Sequence, residues 1–285
     1  MLLDASEQAG SSFEVAAVVT QPGKPKGRGN KSIPQPSPVE VAARGASIAA
    51  DRIWTPAKAH DAEFLEQLAL LHPDLCVTAA YGNILPQRFL DIPRFGTLNI
   101  HPSLLPKYRG AAPVQRALQD GVAQTGVSVA FTVRAMDAGP VLAQEVVDVG
   151  QEIQAPELLQ DLFKRGGRLL LDNLDSVWEA RAATLAKPQD ESQVTHAAKL
   201  TKEEGVLDFR QPAHALHAKV RAFAGWPGTS HPFVMEDANN GGQLFNMKVL
   251  EILEVQPVGK KIMPVKAFVN GLKGRRLFWQ PLHQS

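Results

Sequence analysis

Short apolar runs, each closed by a chain breaker and separated by stretches of helical period, recur through the first half of this chain and dictate most of what it can become. Residues 13–20 (FEVAAVVT) are apolar and β-branched and run into Gln21-Pro22-Gly23; residues 75–80 and 96–101 repeat the pattern. Continuous runs of this kind suit strands covered on both faces of a parallel sheet. Between them, residues 39–50 and 62–71 read as helices, the second with Phe64, Leu65, Leu68 and Leu71 on one side. A helix over residues 113–120, strands over 125–133 and 141–149, and a long amphipathic helix over 155–178 follow. Alternation of strand and helix predicts an α/β fold with a Rossmann-like, mostly parallel sheet and helices on both faces. Ligands of such sheets sit in the loops beyond strand ends.

The alternation fades near residue 180. Residues 181–202 are rich in Ala, Gln and Lys and read as a linker; a helix over 213–224, a turn at Trp226-Pro227-Gly228 and β-like runs such as 247–255 come after it. Two domains are therefore expected, over 1–180 and 203–285, the second smaller and β-rich. A length of 285 residues suits that division. The net charge of +1 announces no nucleic-acid partner through a global field, so any basic surface must be local. Cys76 is the single cysteine, which excludes an internal disulfide and fits a reducing compartment. Set in an apolar run without a charged neighbour, it reads as a small buried strand residue rather than a nucleophile. No apolar run approaches the roughly 18 residues of a membrane helix, and the opening MLLDASEQAGSS has no basic residue, unlike a signal or transit peptide.

Chemistry concentrates in residues 96–113, GTLNIHPSLLPKYRGAAP. Side chains alternate along a strand, so Asn99 and His101 share one face while Leu98 and Ile100 enter the core. Pro102 and Pro106 stiffen the loop beyond, Gly110-Ala111-Ala112 leaves room at the backbone, and Pro113 suits a helix start. A lone histidine in such a place is more often a hydrogen-bonded structural residue. Here the neighbouring amide, the rigid loop and the acidic turn Arg134-Ala135-Met136-Asp137-Ala138-Gly139-Pro140 favour chemistry, although Asp137 also suits a turn before Gly-Pro.

Asn-x-His, Ser-Leu-Leu-Pro, Tyr-Arg-Gly-Ala-Ala-Pro, a strand Thr-Gly-Val and Met-Asp-x-Gly, in this order, resemble the formyltransferase family. The likeness runs from about residue 13 to 149 and again over 199–229 and 248–277. Within the family, the Arg-Gly-Ala-Ala-Pro form and the loop after residues 13–20 are most similar to the branch that formylates methionyl-tRNA. The resemblance implies transfer of a formyl group from 10-formyltetrahydrofolate to the amine of initiator methionyl-tRNA, without a metal, by a monomer. It implies a catalytic triad of Asn99, His101 and Asp137. An Asn amide and an imidazolium are suitable donors to the oxyanion of acyl transfer, and a carboxylate can hold the ring and relay a proton. No Ser or Cys nucleophile is needed. The resemblance also assigns Ser103, Leu104, Leu105 and Pro106 to the folate site, with apolar side chains against the pteridine and exposed backbone groups for its polar edge.

Lys24, Lys26, Arg28 and Lys31 crowd into residues 21–32 without an acid. A phosphate-binding Gly loop is excluded because Asn30 interrupts the required Gly-Lys-Ser/Thr ending. A run of this size is ordinarily a solvated loop. The family resemblance makes it a clamp on the tRNA acceptor stem, with Arg109 as a further tRNA contact and the tail as an OB-like barrel. Lys219, Arg221, Lys260, Lys261, Lys273, Arg275 and Arg276 are candidate tail contacts. Family members open with a strand and a Gly-Thr-Pro turn ahead of the residue 13–20 run; here that strand is missing and the tail is shortened. Details such as His101-Pro102 and Phe223-Ala224-Gly225-Trp226 are similar to plant and algal organellar forms, implying a mitochondrial or plastid matrix, or the cytoplasm if the chain is bacterial. Rival readings are a formyltransferase for another amine, such as a nucleotide sugar or purine precursor, a formyl-folate hydrolase, and an inactive, truncated tRNA-binding remnant. The basic loop and tail argue against the first, and the lack of an added N-terminal regulatory domain against the second.

Overall fold

The computed structural model describes residues 1–25, 34–46 and 48–237 and the strands Gly241–Lys248, Glu254–Val255, Met263–Pro264 and Arg276–Trp279. The chain forms two compact units. One comprises Met1–Arg109, Gly126–Val147 and Asp161–Thr195; the other Gly110–Thr125, Asp148–Gln160 and His196–Ser285.

In the first unit four strands lie in the order Cys76–Thr78, Thr97–His101, Gln124–Phe131, Val141–Asp148. Cys76–Thr78 runs parallel to Thr97–His101, with Thr78 opposite Asn99. Gln124–Phe131 runs antiparallel to Thr97–His101, with Ser128 opposite His101 and Phe131 opposite Leu98. The sheet is thus α/β as expected but mixed in direction. Val18–Val19 pairs in parallel with Ile53–Trp54 in a separate two-stranded ladder. Of residues 13–20, expected as a full strand, only Val18 and Val19 are strand, and Thr20 alone is buried. Among the described residues no strand bridges this pair and the four-stranded sheet, so the run lacks the second neighbour that would extend it.

Helices form where period and caps agree. Pro38–Gly45 starts on Ser37, whose Oγ accepts the Glu40 N–H at 3.0 Å, with proline in its first turn; it ends earlier than the expected residue 50, which opens a short 3₁₀ turn, Ala50–Arg52. Ala62–Leu71 is capped by Asp61 and stopped by left-handed His72. It buries Phe64, Leu65 and Leu68 with Trp54, Leu85 and Phe89, the rings of Trp54 and Phe64 meeting edge to face at 6.3 Å. The expected helix over 155–178 is two, Ala155–Leu171 and Leu174–Trp178. Asn173 breaks it, turning its amide back to Leu169 O at 2.7 Å. Gly166 lets the longer helix lie close on the sheet: a Cβ there would stand 2.4 Å from Ile100 Cγ2 and 2.7 Å from Val127 Cγ2.

In the second unit Pro113–Gln119 packs on Ala213–Ala222, and Arg116 bonds Glu204 at 2.6 Å. Phe223, Leu207, Ala218 and Ala222 are buried. Ser230–Asp237 is the middle of three antiparallel strands, between Gly241–Lys248 and Arg276–Trp279. Of the expected β run 247–255, residues 249–253 lie outside the described residues.

Candidate active site

At the centre of the sheet Leu98 and Ile100 are core residues, as the alternation of side chains demands. Asn99 and His101 stand on the opposite face. Thr78, the cross-strand partner of Asn99, donates its hydroxyl to Asn99 Oδ1 at 2.9 Å. That bond fixes the amide's orientation and turns its Nδ2 N–H groups away from Thr78, as donors for an oxygen. His101 is 4% exposed. Its Nε2 lies 2.9 Å from Tyr108 O, and a carbonyl only accepts, so the proton sits on Nε2. Nδ1 faces Asp137 Oδ1 at 3.7 Å, beyond hydrogen-bond reach but within that of a charge.

Asp137 arrives by an indirect path. The antiparallel register leaves the end of Gln124–Phe131 beside Leu98, the far end of the neighbouring strand from His101. Residues 132–139 must therefore fold back. Asp137 takes a left-handed backbone with φ 51°, and a Cβ on Gly139 would sit 1.8 Å from Phe131 O. Ala80 and Tyr108 also have positive φ, 47° and 59°. Left-handed non-glycine residues cost about 1–3 kcal/mol each and gather where a loop is shaped for use.

Ser103 and Leu105 are buried, and the Ser103–Pro106 loop is held mostly by groups sequence reasoning missed. Ser128 Oγ donates to Ser103 O at 2.6 Å and accepts the Leu105 N–H at 3.1 Å. Gln144 Nε2 bonds both Ser128 Oγ and Leu105 O at 2.8 Å. The expectation of exposed backbone groups is not met at these two residues, because the protein itself satisfies them. The one sequence signal for this hub was a serine inside the apolar run Val127-Ser128-Val129.

Arg109 requires a correction. Expected as a tRNA contact, it is 7% exposed and its guanidinium is spent inside the unit. It bonds Gln189 Oε1 through Nε and Nη2 at 3.0 and 2.8 Å, and Glu191 through Nη1 and Nη2 at 3.2 and 2.7 Å. These bonds hold the Glu191 carboxyl below its ordinary pKa. Residues 181–202, expected as linker, thus supply two of the groups around Arg109. In the second unit Lys219 Nζ donates to Val206 O at 2.8 Å, and burial lowers its pKa. Arg221 bonds Gly150 O and Ile153 O. Both expected tRNA contacts are thus engaged with backbone carbonyls. Lys24 is exposed in a short strand, Lys24–Pro25, paired with Pro34–Gln35. Lys26, Arg28, Lys31, Lys260, Lys261, Lys273 and Arg275 lie outside the described residues, and Arg276 is described in backbone only.

The formyl transferase family model matches residues 1–174, and the formyl transferase C-terminal domain matches residues 199–241. The chain belongs to the formyl transferase family. A methionyl-tRNA formyltransferase of the bacterium Moorella thermoacetica is 36% identical over 282 residues, 90% of this chain and 88% of that protein. Among solved structures, HypX from Aquifex aeolicus in complex with tetrahydrofolic acid aligns with a TM-score of 0.55 at 16% identity, over 82% of this chain and 44% of its own. Methionyl-tRNA formyltransferase from Clostridium thermocellum aligns at 0.51 with 15% identity, over 80% and 86%. These two likenesses establish the shared formyl transferase fold.

A formyl transferase needs a donor site, and one further feature fits a group with a polar edge. In the loop after Cys76–Thr78, the Tyr81 hydroxyl and Asn83 Nδ2 are buried near each other, and neither makes a hydrogen bond of good geometry within the described residues. Burial raises the Tyr81 pKa. A cavity of about 230 Å³ lined by Trp54, Thr55, Pro56, Asp61, Glu63, Phe64 and Gln67 shares no residue with this region, and its two carboxylates would repel an anionic donor.

Proposed function

We propose that this formyl transferase moves the formyl group of 10-formyltetrahydrofolate onto the amino group of initiator methionyl-tRNA, for translation initiation. The observation that carries the reading is the 36% identity, over nine-tenths of the chain, to a methionyl-tRNA formyltransferase. Asn99, His101 and Asp137 in proximity supply the chemistry it requires.

The donor supplies an electrophilic formyl carbon to the methionyl amine. Asn99 Nδ2, oriented by Thr78, stabilises the formyl oxygen as negative charge develops there. Asp137 takes up the proton that the attacking amine sheds, directly or through a water, for return to the departing folate nitrogen. His101, its Nε2 proton held by Tyr108 O, turns Nδ1 toward that carboxylate, with which the ring pairs when Nδ1 also carries a proton. Acyl transfer of this kind needs no covalent enzyme intermediate. Tyr81, Asn83 and the Ser103–Pro106 loop, with the Leu104 side chain, are the residues proposed for the folate. Lys24, Lys26, Arg28 and Lys31 are proposed for the tRNA phosphates, each contact steepening the salt dependence by about 0.9.

The proposed division of labour is a catalytic domain over 1–180, a connecting segment over 181–202 and an OB-like tRNA-contacting domain over 203–285, acting as a monomer. Among the described residues no helix is long and apolar enough to cross a membrane. The organellar matrix is proposed from the sequence details alone, against bacterial relatives, and the mass and N-terminus of the native protein decide it. The activity is tested by incubating the purified chain with 10-formyltetrahydrofolate and initiator methionyl-tRNA. Formyl-methionyl-tRNA should form, disappear in His101→Ala, and persist at low salt in Lys24→Ala. Tight tRNA binding without transfer favours the remnant reading, and transfer to another amine alone favours a different substrate.

A further inference from the structure

We propose that residues 189–195 form a brace that sets the His101–Asp137 geometry, with Gln189 as its decisive positioning residue; this rests on the reading of the site given above. The carboxamide of Gln189 is used on both sides. Its Nε2 donates to Asp137 O and to Gly139 O, each at 2.7 Å, spending both N–H groups on the left-handed turn. Its Oε1 accepts two bonds from Arg109, whose guanidinium is anchored in turn by Glu191. A turn that must fold back from the far end of an antiparallel strand is thereby tied to a buried cation rather than left to its own residues.

The same brace reaches the other member of the pair. Thr195 Oγ1 accepts the Tyr108 N–H at 2.8 Å, and Thr195 O accepts the Arg109 N–H at 2.9 Å. Tyr108 O is the group that holds His101 Nε2. Gln189 thus fixes the carboxylate's turn while Thr195 fixes the carbonyl behind the imidazole, and the five residues between them join the two. Gln189 touches none of the reacting atoms and acts only through the position of Asp137.

Gln189→Glu separates this role from simple packing. The carboxylate still accepts from Arg109 but has no proton for the two carbonyls of the turn. Displacing a catalytic group by about 1 Å can cost on the order of 100-fold in rate, so kcat should fall by about that factor while KM for both substrates stays unchanged. Thr195→Val, which removes only the Oγ1 acceptor, should give a smaller kcat loss of the same kind. Independently of activity, in protein carrying labelled histidine the His101 ring resonances of Gln189→Glu should move toward those of Asp137→Asn. Wild-type kcat in Gln189→Glu, or ring resonances unchanged from wild type, overturns the proposal. A wild-type chain that transfers no formyl group while the resonances move as stated defeats the functional reading and leaves the brace standing.

Discussion

Residues 13–20 and 124–131 are alike on paper and unlike in the molecule. Both are eight-residue stretches carrying valine, alanine and phenylalanine, although the second mixes in Gln124, Thr125, Gly126 and Ser128. The second is a strand over its whole length, with six consecutive buried residues between two hydrogen-bonded neighbours. The first yields a two-residue strand, and all but Thr20 keep part of their surface in solvent. Strand length is therefore set by the neighbours a run finds and not by the run's own composition. The candidate active site stands on the satisfied side of this divide: Asn99 and His101 lie on the strand beside residues 124–131, and Ser128 braces the following loop.

The comparison breaks most decisively if the chemistry does not belong to the well-packed sheet. His101→Ala should lower formyl transfer by about 1000-fold, within the range that a positioned proton-transfer group contributes, and should lower the melting temperature modestly because Tyr108 O loses its partner; steady-state kinetics beside calorimetry read both. Next, Leu98→Ala should cost about 3 kcal/mol, within the roughly 2–5 kcal/mol typical of a buried leucine, whereas Val19→Ala in the half-buried ladder should cost about 1 kcal/mol or less. Equal losses in urea denaturation would erase the distinction. Ser128→Ala should cost about 2 kcal/mol by taking the partner from the Leu105 N–H and the donor from Ser103 O, and substrate-folate affinity should weaken with it. The smallest effect belongs to Cys76, on the outer strand of the four, whose thiol burial pushes up to about 11. A raised thiol pKa means the folded state favours the neutral form. Its contribution is complete below pH 9 and is lost as pH rises from about 9 to 11, near 1 kcal/mol at pH 10. Melting measured against pH in wild type and Cys76→Ala should diverge only there.

Much of this was legible in the sequence because it depends on local rules. Alternation put Asn99 and His101 on one face, and caps and proline located Pro38–Gly45, Ala62–Leu71 and Pro113–Gln119. What failed depended on partners remote in the chain. Arg109 reads as a surface cation until Gln189 and Glu191, some eighty residues on, are found around it. The Ser103–Pro106 loop reads as open until Ser128 and Gln144 are seen to satisfy it. The direction of Gln124–Phe131 is likewise invisible in its composition, since an apolar run carries no mark of which way its neighbour will run.

That direction has a consequence for how this protein can vary. Because Gln124–Phe131 delivers the chain to the wrong end of the neighbouring strand, the reach of Asp137 is a matter of counted residues. Surface connections ordinarily accept insertions and deletions at small cost. Between residues 132 and 140 a single added or deleted residue would shift the carboxylate out of line with the imidazole and take Gly139 out of its close approach to Phe131 O. This stretch should behave as a ruler, free to exchange its side chains at exposed positions such as Met136 yet fixed in length wherever the activity is kept.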